Sequence, residues 1–223
     1  MKRIVKALAV LVVALAGVMP CRAQYYEIAN QLPSLLSPAL SGSMNYKGYV
    51  EVSGLAGVGD NRANFVGVST SQGFRYSSWF FMGVGVGVDV ARGAGDVVLA
   101  DGGPDYDSYW HETSRTKAMI PVFTDFRFNI GDQSRVGVFC DLKLGAAWLI
   151  GGSYLQLSDR CLTTSTQFYF RPTIGVRIPV NSARPTQAVN IGVTYQLLTG
   201  NNNYWGDNRL TLNNIGVTLG YEW

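Results

Sequence analysis

Long stretches of this chain alternate between apolar residues and polar or glycine residues with a period of two. In the clearest stretch, Trp79 to Val90, every even-numbered position from Phe80 onwards is apolar, and glycine or Asp89 fills most positions between them. A strand points successive side chains to opposite faces, whereas a helix would repeat every 3.6 residues. The alternation therefore predicts β-strands with one apolar face and one polar face.

Eight such stretches follow one another along the chain. They are Tyr46–Val58, Asn64–Tyr76, Trp79–Val90, Ala118–Ile130, Arg135–Ile150, Thr166–Ile178, Val189–Leu197 and Ile215–Trp223. The connections at 77–78, 131–134 and 181–186 are short, and those at 59–63, 91–117, 151–165 and 199–209 are mostly longer and take alternate places. Short turns at one end and long loops at the other are typical of an up-and-down transmembrane barrel, whose tilted strands need roughly 9–11 residues each.

The direction of the apolar faces separates a membrane barrel from a soluble one. A soluble barrel points its apolar side chains inward, and periodicity alone is compatible with that alternative. Charged residues make up 15% of the chain, against roughly 25% in soluble domains. Glycine is frequent on the polar faces, as a narrow lumen requires, and aromatic residues lie near the strand ends, as in interfacial girdles. These aromatic residues are Trp79, Phe80, Trp148, Tyr195, Tyr221 and Trp223. The pattern favours apolar faces that point outward to lipid.

The first 23 residues have the pattern of a secretory signal peptide. Lys2, Arg3 and Lys6 precede an apolar run over 7–19, and small residues at Cys21 and Ala23 provide a cleavage site. The run is shorter than the roughly 20 residues of a membrane-spanning helix. Lipid attachment to Cys21 is an alternative, although Val18-Met19-Pro20 matches that signal poorly. We expect a cleaved signal peptide over 1–23, a short periplasmic segment over 24–43 and a barrel over 44–223.

Removal of the signal peptide changes the charge of the chain. The full sequence has a net charge of +3, but 1–23 contains four basic residues and no acidic ones, so 14 basic and 15 acidic residues remain. No later segment clusters lysine and arginine, and we therefore expect no nucleic-acid partner. Cys140 and Cys161 remain after cleavage, and two cysteines do not define a disulfide framework, so we expect free thiols.

The end of the chain carries a family resemblance. Its last strand contains Gly216-x-x-x-Gly220-Tyr221-x-Trp223. With the signal peptide and eight strands, it resembles the small outer-membrane β-barrels of Gram-negative bacteria, similar to the barrel of outer-membrane protein A and to outer-membrane protein X. The resemblance covers about 44–223. It implies a monomer in the outer membrane, surrounded by lipid and lipopolysaccharide, with Tyr221 and Trp223 recognised by the barrel-assembly machinery.

Two prolines depart from the strand pattern of this family. Pro121 and Pro172 fall inside predicted strands. Because proline cannot donate a hydrogen bond to a closed ladder, we expect these residues to mark bulges or strand ends.

About five acidic and five basic residues, Glu51 and Glu222 among them, fall on the polar faces of the predicted strands. An eight-stranded lumen is just wide enough to be filled by side chains, and unpaired charges there are costly. We therefore predict a near-neutral salt-bridged network that plugs the lumen. Its members are Asp89, Asp125, Arg127, Asp141, Lys143, Arg171 and Arg177. The alternatives are conduction of protons or ions, or a carboxylate pair in acid–base chemistry.

Three other motifs have simpler interpretations. Gly83–Asp89 looks like a phosphate-binding loop, but the alternation continues through it and no helix follows. His111, the single histidine, is interpreted as a solvated loop residue, with a role in lipid A modification as the alternative. Asp101 and Glu112 have the spacing of a calcium loop, but Gly103 and Tyr106 occupy positions that the motif assigns to other residue types. We expect neither cofactor nor metal.

The sequence favours a structural role in the envelope without enzyme activity. A surface adhesin or ligand-binding barrel is the main alternative, and a lipid-modifying enzyme or a small channel is a further one. The long connections contain aromatic residues that suit a glycan or protein ligand, or lipopolysaccharide headgroups. These are Tyr106, Tyr109, Trp110, Tyr154, Tyr204 and Trp205.

Overall fold

The structure, a computed structural model, consists of β-strands. It describes residues 45–59, 61–93, 113–114, 116–132, 134–151, 154–157, 160–162, 166–181, 184–202 and 208–223. The strands are β1 (Asn45–Val58), β2 (Ala63–Arg75), β3 (Phe80–Gly93), β4 (Thr113–Ser114), β5 (Thr116–Ile130), β6 (Gly137–Ile150), β7 (Tyr154–Leu157), β8 (Arg160–Leu162), β9 (Thr166–Asn181), β10 (Arg184–Asn202) and β11 (Asn208–Glu222). The predicted signal peptide and the segment 24–43 lie outside the described residues. Within the described part of the chain, no helix is long and apolar enough to cross a membrane.

Eight of the strands form a closed antiparallel barrel in the order β1-β11-β10-β9-β6-β5-β3-β2. Each of these eight strands pairs with the barrel strands that come before and after it in the chain, and β1 closes the ring against β11. The predicted eight-stranded up-and-down barrel is therefore confirmed. A path that starts at Gly48 of β1 and passes from each residue to its partner on the next strand returns to β1 at Val58, ten residues further along the chain. This stagger means that the strands are tilted relative to the barrel axis.

The two ends of the barrel differ in their connections. We call the end where the connections are 76–79, 131–136 and 182–183 the short-turn end, and the opposite end the long-loop end. The connections at the long-loop end contain β4, β7 and β8, which form a separate three-stranded sheet. Pairing of β10 with β11 extends to Asn202 and Asn208, so the connection predicted over 199–209 is shorter. Backbone pairing continues there because it requires a partner strand and not an alternating side-chain pattern.

The two prolines lie inside strands, and the expectation that they mark bulges or strand ends was wrong. Pro121 lies in β5 and Pro172 in β9, and the register is the same before and after each. In the ladder with one neighbour, the pair of each proline and the pair of the residue before it are absent, because proline lacks the N–H that a pair needs. The ladder with the other neighbour continues through both prolines. The register shift in the β9–β10 pairing lies elsewhere, between Arg184 and Ala188.

The turn between β5 and β6 is closed by a local hydrogen bond. Gly131 begins it with a φ of 115°, a left-handed conformation that favours glycine. The Ser134 N–H then donates to Asp132 Oδ1 over 3.0 Å, and this bond lowers the pKa of the exposed Asp132 carboxyl from its usual value. The turn brings β6 back beside β5, which aligns the charged residues described below.

Candidate functional site

The outer surface of the barrel is apolar. Val66, Ile174 and Val217 point outward and are 64%, 61% and 63% exposed. Among strand residues whose side chains are described, the charged ones that point outward are Arg92 and Arg209, and both lie at the long-loop end. An exposed apolar band of this extent is suited to contact with lipid.

Aromatic side chains border this band at both ends. At the short-turn end, Trp79 stacks on Phe128 with ring centroids 6.0 Å apart, and Tyr221 stacks on Trp223 at 6.4 Å. At the long-loop end, Trp148 is 39% exposed. Amphipathic rings at two levels are typical of the two interfaces of a membrane.

Five charged residues meet inside the barrel and form what we call the central cluster: Glu51 of β1, Asp125 and Arg127 of β5, and Asp141 and Lys143 of β6. Each is at most 4% exposed. Lys143 Nζ donates to Glu51 Oε2 over 2.7 Å, and Arg127 Nη2 donates to Asp141 Oδ2 over 3.1 Å. Arg127 also pairs with Glu51, and Lys143 with Asp141. Two cations and two carboxylates thus form a closed ring of four ion pairs.

Aromatic rings hold the guanidinium of this cluster in place. The Arg127 guanidinium carbon lies 4.0 Å from the centroid of the Tyr49 ring and 4.8 Å from that of Phe139. Stacked rings attract the cation and exclude water from it. Arg127 therefore forms its ion pairs with Glu51 and Asp141 away from water.

A second group of ion pairs lies nearer the short-turn end. Glu222 Oε1 accepts from Lys47 Nζ over 3.0 Å and from Arg177 Nε over 2.8 Å. All three side chains are buried. These contacts join β1, β9 and β11, and so fasten the strand that closes the ring.

The last two residues of the predicted network lie apart from both groups. Arg171 donates to the Tyr169 hydroxyl over 3.2 Å and to Thr218 Oγ1 over 3.3 Å, and Asp89 is 1% exposed. The structure thus places all seven predicted residues inside the barrel, but divides them among three groups instead of one. Lys47, Glu51 and Glu222 were missing from the prediction, although their positions on the polar faces of β1 and β11 were a signal for them.

The lumen towards the long-loop end is filled by apolar side chains, which the sequence reasoning missed. We call this group the apolar seal. Its wall comes from the barrel strands, and Leu155 and Leu157 of β7 enter it from the long connection after β6 and are fully buried. Lys117 Nζ donates to the Gly151 carbonyl over 3.4 Å at the start of that connection. The other members are Leu55, Ala63, Phe65, Ala91, Met119, Phe123, Ala147, Leu149, Tyr169, Leu198, Leu210 and Leu212.

Glycines on the lumen face provide space for aromatic rings. The Phe123 ring lies directly over Gly85 of the neighbouring strand, so close that a Cβ at Gly85 would overlap it. The space left by the missing side chain thus lets the ring pack against the wall. The glycine excess therefore allows large rings to pack inside a narrow tube.

The other predicted motifs fall in three places. Gly83–Asp89 is continuous β3 strand, so it is not a phosphate-binding loop. Cys140 is a free thiol exposed on the outer face. His111, the calcium-like segment 101–112 and the aromatic residues of 106–110 and 204–205 lie outside the described residues. Within the described residues, no group of three histidine, cysteine or acidic side chains is arranged to hold a metal ion.

Comparison with known proteins finds similarity at the level of fold. No protein-family model and no curated protein matches the chain. Among solved structures, it is similar to Neisserial surface protein A (13% identity, TM-score 0.49, 79% of this chain and 95% of that one). It is also similar to the outer membrane enzyme PagL (18%, TM-score 0.47, 77% and 97%) and to the N-terminal β-barrel domain of Pseudomonas aeruginosa OprF (10%, TM-score 0.42, 81% and 99%). These are small outer-membrane barrels, the class that the sequence resembles.

Proposed function

We propose that this chain is an integral outer-membrane barrel with a structural role in the envelope, a closed lumen and no enzyme activity. The observation that carries the proposal is the arrangement of its two faces: apolar side chains are exposed outside, and ion pairs are buried inside. A barrel in water would have the opposite arrangement. A barrel with an apolar outer face and a polar lumen is stable when lipid surrounds it.

The orientation follows from the connections. In barrels of this class the short turns face the periplasm and the longer loops face outward. The long-loop end with Arg92 and Arg209 then lies at the outer leaflet, where lipopolysaccharide presents its phosphates. Tyr221 and Trp223 lie near the periplasmic interface, 36% and 40% exposed, and Trp223 pairs its backbone with Gly48. This exposed aromatic end of the closing strand is suited to recognition by the barrel-assembly machinery.

Two different barriers support a closed lumen. The apolar seal offers ions no charged partner, and a hydrophobic constriction of this kind blocks conduction. The central cluster fills the section of the lumen where β1, β5 and β6 face one another. An ion would have to displace leucine side chains and break buried ion pairs to cross. A structural barrel is therefore favoured over a small channel.

Fractionation and conductance together test this proposal. Because the outer band is apolar, we expect the mature protein to partition with the outer membrane and to shift in mobility on unboiled gels. Because both barriers are closed, we expect no steady conductance when the purified barrel is inserted in planar bilayers. A protein that stays dissolved without detergent, or that opens stable channels, would contradict the proposal.

The apolar seal makes a separate prediction about access to the lumen. Ala91 is fully buried in the seal, so a cysteine at Ala91→Cys should react slowly with a water-soluble thiol reagent, in a background where Cys140 and Cys161 are serine. Adding Leu155→Ser and Leu157→Ser should raise the labelling rate by at least about tenfold, since each buried leucine contributes roughly 2–5 kcal/mol. Equal rates in the two proteins would show that β7 does not close the lumen.

A further inference from the structure

The central cluster contains more acids than bases. Three carboxyl groups, on Glu51, Asp125 and Asp141, share the space with two cations, Arg127 and Lys143. All five are buried, with exposures of 0–4%. An unbalanced charge in such a site carries a large desolvation cost. Within the cluster the acids therefore exceed the cations by one charge, and Arg171, the buried cation beside Lys143 in the ladder, donates its hydrogen bonds to Tyr169 and Thr218 instead.

The position of this missing charge follows from the hydrogen bonds. Glu51 and Asp141 each accept from both cations. Neither oxygen of Asp125 has a hydrogen-bond partner among the described residues, and Asp141 Oδ1 has none either, because both cations bind Asp141 through Oδ2. The unsatisfied acceptors therefore belong to two neighbouring carboxyl groups.

The two carboxyl groups lie within reach of each other. Asp125 is paired with Lys143 across β5 and β6, and Asp141 is the lumen-facing residue of β6 just before Lys143. Asp125 and Asp141 are therefore diagonal neighbours on the lumen face, and the Cβ atoms of such neighbours lie within about 7–8 Å, a gap that two carboxyl groups turned towards each other can close. An ionised carboxylate only accepts, so two of them cannot bond, whereas one added proton turns the contact into an O–H donor and an acceptor.

Among the residues that the structure describes, no other charged group takes this place. The charged groups that face Asp125 are Arg127 on its own strand and Asp141 and Lys143 on β6, with Glu51 of β1 beyond them. On the other side, β3 presents Gly83 opposite Asp125, and the ring that lies over Gly83 is the uncharged Phe81. The cations are already shared between Glu51 and Asp141.

We propose that the central cluster binds one proton, which Asp125 carries and donates to Asp141 Oδ1. The proton comes from the carboxylic acid form of Asp125, which is retained as the barrel closes, and no bond other than this hydrogen bond forms. With the proton in place, the cluster is neutral: two carboxylates, two cations and one acid. Two carboxyl groups at close range commonly share one proton in this way.

Infrared spectroscopy of the refolded barrel at neutral pH tests the proposal. We expect a carbonyl stretching band of a protonated carboxylic acid that is absent from Asp125→Asn. Asp89→Asn is the matched control, since Asp89 is also buried without a hydrogen-bond partner but lies outside the cluster, and the Asp125 band should persist in it. If the spectra of the wild type and Asp125→Asn show no difference in this band, the proposal is wrong.

Unfolding in urea gives a second, independent readout. Asparagine is a neutral replacement whose N–H can still donate to Asp141, so we expect Asp125→Asn to keep the wild-type midpoint. Asp141→Asn should lower the midpoint, because it removes the charge that both cations contact. A midpoint of Asp125→Asn that falls as far as that of Asp141→Asn would overturn the proposal. So would a wild-type midpoint that rises with sodium or potassium concentration while that of Asp125→Asn does not, because a bound metal cation would then occupy the site.

Discussion

Arg127→Ala is expected to lower the free energy of unfolding by about 3–5 kcal/mol, the cost of breaking a buried ion pair by removing one partner. Arg127 is fully buried and pairs with both Glu51 and Asp141, so its loss leaves those carboxylates with Lys143 alone. The Tyr49 and Phe139 rings would also lose the group between them. Reversible unfolding in urea with lipid vesicles, followed by tryptophan fluorescence, measures the change.

Arg92→Ala is the matched control for that measurement. Arg92 is exposed on the outer face at the long-loop end, and substitutions at such positions usually change stability by less than about 0.5 kcal/mol. Both variants remove one arginine, so a difference between them reports the buried position and not the lost charge itself. Equal midpoints for the wild type and Arg127→Ala would mean that the central cluster does not stabilise the barrel.

Val217→Arg is expected to destabilise the barrel in the membrane by about 2–4 kcal/mol, the cost of a basic side chain at the bilayer midplane of a β-barrel. Val217 points outward from the middle of β11 and is 63% exposed, so lipid surrounds the new side chain. A soluble protein would tolerate an arginine at so exposed a position. The measured cost therefore reports lipid contact directly.

The control for this second prediction lies on the same face of the same strand. Thr211 also points outward from β11 but is close to the long-loop end, where an arginine reaches the interface. Thr211→Arg should cost at most about 1 kcal/mol in the same vesicle assay. If the two variants were equally stable, Val217 would not lie near the middle of a bilayer.

Periodicity predicts most of the fold because each strand carries its own two-faced pattern. The alternation alone is sufficient to place four members of the central cluster in the lumen: Asp125, Arg127, Asp141 and Lys143. The alternation does not say which residues of two neighbouring strands lie at the same level, since that depends on their register. For this reason the pairing of Lys47 with Glu222, across the junction of β1 with β11, was not predicted.

The apolar seal was missed for a different reason. Leu155 and Leu157 alternate with polar residues like any other short strand, and nothing in the sequence relates this connection to the lumen. Phe65 and Met119, on the lumen face of the barrel, lie in one buried cluster with these leucines. A contact between a loop and a distant strand depends on tertiary packing, which local pattern does not encode.

The ion pair between Lys143 and Glu51 also has a mechanical consequence. In the ring of eight strands, β6 and β1 are four strands apart in either direction, so this bond spans a diameter. Eight strands with a ten-residue stagger give a backbone radius of about 8 Å, small enough for two long side chains to meet at the axis. The bond acts as a cross-brace: the section cannot widen along that diameter without stretching it. The bond therefore resists any flattening of the barrel, under lateral pressure from the bilayer, that would lengthen the diameter between β1 and β6.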